Sequence, residues 1–181
     1  MTASGAIRGG GLAAMAGGAL WAALFAVYAS RSGVPGPPHG SFDGLRLPGL
    51  LSLLLIGLGF LGLDLPSWRG RGDGRLGRVG FDVAGLGILV IVVSGASWPI
   101  GMVAAWILMA GSLMVGAATL VSGTLPRWGA LALVAGSAAF FFDTHPARAW
   151  FALPYGAAWV AVGYLLWSRG GSAAEQPPRV R

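Results

Sequence analysis

Two histidines and six carboxylates supply the imidazole and carboxylate metal ligands of this 181-residue chain, and cysteine is absent. His39 sits in Val34-Pro35-Gly36-Pro37-Pro38-His39-Gly40, and His145 in Asp143-Thr144-His145-Pro146-Ala147-Arg148. Two imidazoles and one carboxylate form a known ligand set for zinc or iron. His39, Asp143 and His145 would make such a centre if their segments met, but Asp-x-His is too short a pattern to establish ligands. No metal is therefore assigned. The same residues serve better as polar points in a small-molecule pocket, which needs apolar walls and a few convergent polar groups. His39, Asp143, His145, Arg148 and Trp150 are the candidate ligand-binding set, with Phe140, Phe141, Phe142 and Phe151 beside them. An ordinary aromatic belt under a solvated loop is the stronger expectation, because Trp and Phe concentrate at headgroup level anyway.

Other chemistries lack their residues. Without cysteine there is no thiol nucleophile, disulfide, iron–sulfur cluster or Cys-zinc site. A haem between helices needs an axial ligand inside the bundle, and neither histidine falls within an apolar run. No Gly-x-Ser-x-Gly elbow accompanies an intramembrane histidine, and no phosphate-binding Gly-x4-Gly-Lys-Ser/Thr loop occurs. Metal-assisted phosphoryl chemistry calls for clustered carboxylates, and the six here are scattered. Neither a catalytic residue nor a cofactor is assigned.

Ionisable residues inside apolar runs are functional candidates by default. Asp64 lies near the end of the second such run and Asp82 stands two residues into the third. With Arg78 and Arg127 they read as interfacial charge, near a membrane surface rich in arginine. Asp82 would also favour the positive end of its helix.

What must position these residues is a membrane bundle. The chain is 55% hydrophobic and 10% charged, with a mean hydropathy of +0.72. Soluble domains carry about 25% charged residues, and a globule this small cannot bury so much apolar surface. A bilayer can, acting as an apolar solvent. Six runs near the required ~20 residues are Gly11–Ser30, Pro48–Leu65, Gly80–Ala96, Trp98–Val121, Trp128–Phe142 and Trp150–Trp167. The fold class is all-α, a polytopic bundle of six transmembrane helices. One transmembrane domain covers residues 1–168, and a basic tail, 169–181, is expected to be disordered.

All twelve basic residues are arginine. With the N-terminus inside, nine (Arg8, Arg69, Arg71, Arg75, Arg78, Arg127, Arg169, Arg179 and Arg181) fall on the inner side and three (Arg31, Arg46 and Arg148) outside. That bias predicts both termini in the cytoplasm. The sequence looks like many small bacterial polytopic proteins, which implies the inner membrane.

Gly74-Arg75-Leu76-Gly77-Arg78-Val79-Gly80 and Gly123-Thr124-Leu125-Pro126-Arg127-Trp128-Gly129 share G-x-L-x-R-x-G. The match suggests three helical hairpins, against the plain alternative that Arg and Gly are common at membrane interfaces. Small-xxx-small pairs at Ala14/Gly18, Ser112/Gly116, Ala132/Gly136 and Ala157/Ala161 suit close helix packing. Trp68, Trp98, Trp128, Trp150 and Trp167 mark run ends, while Trp21, Trp106 and Trp159 lie deeper and read as packing or lipid contact.

The favoured function is a non-enzymatic membrane subunit or scaffold, working through helix packing and contacts with lipid or a partner. A small-molecule carrier, or the substrate-binding membrane component of one, is the alternative. A membrane enzyme with an outer-face site comes third. The expected partners are the bilayer, a second copy or another subunit of a membrane complex, and at most a small apolar ligand. Nucleic acid is not among them, since the arginines lie beside apolar runs and set orientation.

Overall fold

The computed structural model describes residues 3–31, 43–67, 74–94, 100–141 and 150–174. Six helices run through them: α1 (Ala3–Arg31), α2 (Asp43–Ser67), α3 (Gly74–Val93), α4 (Ile100–Ser122), α5 (Arg127–Phe140) and α6 (Leu153–Ala174). No strand occurs among the described residues. Among the described residues, four stretches are long and apolar enough to cross a membrane: Gly5–Ser30, Gly74–Val93, Ile100–Ser122 and Trp150–Arg169. The apolar part of α2, Leu47–Leu63, is shorter, and α5 has only 14 residues. The chain is a multi-pass membrane protein, and Leu51, Leu54, Leu89, Val103 and Leu131 are among the large apolar side chains on its outer surface.

Consecutive helices pack against each other and α1 packs extensively on α6, so first and last helix close the bundle. Hairpins α1–α2, α3–α4 and α5–α6 are all present, but the α1–α6 contact binds the first to the last. The seam between α2 and α3 is the sparsest between neighbours.

Glycines seven residues apart explain the close contacts. On α1, Gly10 and Gly17 face α2, while Gly11 and Gly18 face α6. A Cβ on Gly11 would lie 2.6 Å from the Trp167 backbone nitrogen, and one on Gly18 would lie 2.5 Å from the Gly156 carbonyl oxygen. Gly163 and Gly156 of α6 return the contact. Each doubled glycine thus opens α1 on two sides. The α3–α4 pair uses the same device, with Gly80 and Gly87 against Gly111 and the Ala104–Leu108 turn. Lipid offers no hydrophobic drive for helices to associate, so backbone proximity and dispersion must supply it.

Several boundaries differ from the apolar runs. α1 starts well before Gly11 and includes Arg8. α3 starts at Gly74, so Arg75 and Arg78 lie on a helix and not in a loop reaching Val79. Arg and Leu are good helix formers, and Gly77 is buried within the helix. α6 continues to Ala174. α4 ends where Gly123 takes φ +65, a left-handed conformation that favours glycine.

Of the four small-residue pairs, Ala14/Gly18, Ser112/Gly116 and Ala132/Gly136 place residues in helix contacts, but Ala157 is exposed. The seven-residue repeats agree only in part. Arg78 and Arg127 are both exposed, and Gly80 and Gly129 both meet a neighbouring helix. Leu76, however, is exposed where Leu125 is buried, and Gly74 opens a helix where Gly123 turns.

Candidate functional site

The bundle interior holds a connected set of aromatic rings. Trp21 and Phe25 come from α1, Phe140 from α5, Tyr155 and Trp159 from α6, Phe60 from α2 and Phe81 from α3. Trp21 lies 4.7 Å from Phe25, 5.5 Å from Phe140 and 5.7 Å from Tyr155, between ring centroids. Tyr155 continues to Trp159 at 6.3 Å, Trp159 to Phe60 at 4.4 Å and Phe60 to Phe81 at 6.3 Å. Most of these pairs are edge-to-face or tilted, as ring quadrupoles prefer.

Polar groups inside this set are few. Ser112 Oγ donates to the Leu108 carbonyl at 2.8 Å, one turn back on α4. It also lies 3.1 Å from the Tyr155 hydroxyl. A serine has one hydroxyl proton, and Leu108 takes it, so the tyrosine O–H donates to Ser112. The link therefore runs in one direction, from α6 through Tyr155 and Ser112 to the α4 backbone. Trp159 Nε1–H approaches the Tyr155 oxygen without reaching hydrogen-bond geometry. Trp159 Nε1 and Ser137 Oγ are the buried polar side-chain atoms without a hydrogen-bond partner among the described residues.

Two more buried bonds fasten α1. Trp21 Nε1 donates to the Ala152 carbonyl at 3.1 Å, holding the single turn of Trp150–Ala152 that precedes α6. Ser52 Oγ donates to the Gly17 carbonyl at 2.8 Å and ties α2 to α1.

Arginines gather at one end of the bundle. Arg8 lies near the start of α1, Arg75 and Arg78 start α3, Arg127 starts α5, and Arg169 lies near the end of α6. All five are exposed. Because neighbours in the bundle alternate in direction, these termini share one end. Arg8 lies over the Trp167 ring at 5.8 Å, and Arg169 donates to the Thr124 carbonyl in the α4–α5 turn. Cation–π contact and a backbone bond hold two of the charges in place.

Asp82 is deeper than its place in the third apolar run implies. It is the ninth residue of α3, about 12 Å along the axis at ~1.5 Å per residue. Gly111 packs between Gly80 and Ala84 and so lies level with Asp82. Gly111 is eleven residues from each end of α4. Asp82 is exposed on the outer side of α3 at the mid-length of α4. Asp64 belongs to α2, but its side chain lies outside the described residues.

Of the outer candidate set, His39, Asp143, His145 and Arg148 lie outside the described residues, as does Phe142. Trp150 is described and is 53% exposed. Phe141 and Phe151 are exposed too, while Phe140 turns inward against Trp21 and Tyr155. Among the described residues no three His, Asp or Glu side chains come together. The deep tryptophans divide: Trp21 and Trp159 are buried in the ring set, and Trp106 is 40% exposed on the outer surface. Tyr155 carries no signal in the sequence, because nothing local links it to Ser112.

Compared with known proteins, the chain matches no family model, no curated protein and no solved structure.

Proposed function

We propose that this chain is a non-enzymatic membrane subunit that crosses the bilayer six times and works through helix packing and contact with lipid or a partner protein. The observation that carries the reading is the filled interior. Tyr155, Trp159, Ile56, Leu108, Met109 and Leu133 are fully buried where a carrier would keep a cavity. Glycine contacts draw the backbones together around them.

Six crossings are supported by packing. α5 is only about 21 Å long at ~1.5 Å per residue, but it lies between α4 and α6, both long enough to span. α2 lies along α1 in the same manner. The nine-to-three arginine distribution supports both termini on the cytoplasmic side. An inner-membrane location is proposed with it, on the likeness of the sequence to small bacterial polytopic proteins.

The test is gentle purification in mild detergent with native mass spectrometry. The expected result is a protein partner, a second copy included, and retained lipid. A stoichiometric small molecule that leaves on heating, with no protein partner, would overturn the reading and favour a carrier.

A further inference from the structure

The outer face of α3 carries charge where a lipid-facing helix should carry none. Arg78, Asp82, Gly85, Leu89 and Val92 are all exposed. Their spacing is four, three, four and three, the 3.5-residue repeat of a seam between two helices. The opposite face of α3, with Gly80, Ala84 and Gly87, is already used against α4. Contact with α2 on the remaining side is sparse.

Three observations distinguish this stripe from ordinary lipid-facing surface. Asp82 lies at the mid-length of α4, where a carboxylate in lipid is strongly disfavoured unless it is paired. Among the described residues, neither Arg78 nor Asp82 has an ion-pair partner. Gly85 meets nothing within 4 Å, although the glycines at the helix contacts above are all crowded. A glycine lowers helix stability, and its benefit in a membrane is to let another backbone approach.

We infer that the α3 stripe of Arg78, Asp82 and Gly85 pairs with the same stripe of a second copy of this chain in a parallel, two-fold dimer. The inference rests on the partner-contact reading and names the partner. In a two-fold contact, residue i meets j while j meets i. The stripe carries one cation and one anion four residues apart, about 6 Å along the axis. Arg78 of each copy can therefore reach Asp82 of the other, so the dimer holds two ion pairs and each charge is neutralised once. Gly85 lies one turn beyond, at the closest approach of the two backbones. Leu89 and Val92 continue the seam with apolar contact. A different protein would need its own matching charges, whereas this surface is complementary to itself.

The chain has no cysteine, which makes the test direct. A single cysteine in place of Gly85 (G85C) is oxidised in native membranes, with L58C on the exposed face of α2 as control. A disulfide requires Cα atoms within ~7 Å, so G85C should give a covalent dimer and L58C should not. Adding D82R to G85C should lower the cross-linked fraction at least fivefold, and R78D/D82R together should restore it. D82N removes the charge without adding bulk and should also lower the fraction, which keeps the test valid where D82R does not accumulate. Equal cross-linking of G85C and L58C, or cross-linking indifferent to D82R and D82N, would overturn the inference. If native mass spectrometry found a different protein bound while G85C stayed monomeric, self-pairing would fail and the partner-contact reading would stand.

Discussion

Tyr155 of α6 donates its hydroxyl proton to Ser112 of α4, because the serine's own proton is committed to the Leu108 carbonyl. This bond crosses the interior between two helices that are not neighbours in the bundle. Y155F should therefore cost modestly, about 0.6–1 kcal/mol, the usual scale of an interhelical bond in a membrane. Y155A should cost about 3–5 kcal/mol, since it also leaves a cavity among Trp21, Phe140 and Trp159. Denaturation in mixed micelles gives the two values. Equal losses for the two variants would mean that the ring contributes nothing beyond its hydroxyl.

Glycine substitutions should separate sharply by position. A Cβ on Gly163 would stand 2.5 Å from the Gly11 carbonyl oxygen, whereas one on Gly9 meets nothing within 4 Å. G163A is expected to destabilise by about 1–3 kcal/mol through forced separation of α1 and α6. G9A should be neutral or slightly stabilising, because alanine is the better helix former. Folded yield and thermal stability in detergent report both. A tolerated G163A would show that α1 and α6 do not pack as tightly as described.

W21F should loosen the turn before α6 without opening the core. It keeps a ring beside Phe25 and Phe140 but removes the bond from Nε1 to the Ala152 carbonyl. Faster amide exchange over residues 150–155 is expected, with α3 and α4 unchanged. Uniformly faster exchange would instead mean that Trp21 supports the whole bundle.

Both termini should be cytoplasmic. A tag at either end should be protected in intact spheroplasts and reached only after lysis. A C-terminal tag cleaved from outside would remove one crossing, and the 14-residue α5 would be the first candidate.

Much of this architecture is legible in the sequence. Apolar runs locate all six helices, and four of them have the length and composition that a bilayer demands. The start of α3 is not legible, since Gly74, Arg75, Gly77 and Arg78 have a loop's composition and Gly77 is buried within the helix. A run that begins only at Gly80 places Asp82 near the surface, and the earlier helix start moves it inward. The seven-residue glycine spacing on α1 stands in the open at Gly10/Gly11 and Gly17/Gly18, but 32 glycines obscure it. Ser112 and Tyr155 are 43 residues apart, and no periodicity connects them. The outer residues His39, Asp143, His145 and Arg148 stand out by type and by proximity to aromatics, and they lie outside the described residues.

The filled interior separates a contact-based subunit from a carrier, and cysteine accessibility probes it most directly. Single cysteines in place of Ser112 and Ser137, both fully buried, are introduced into the cysteine-free chain. Native membranes are then treated with a small, water-soluble thiol reagent from each side. No labelling is expected at either position until the protein is denatured, with an exposed cysteine near Arg127 as the positive control. Labelling of S112C or S137C in folded protein, from either side, would reveal an aqueous path to the centre of the bundle and contradict a filled interior.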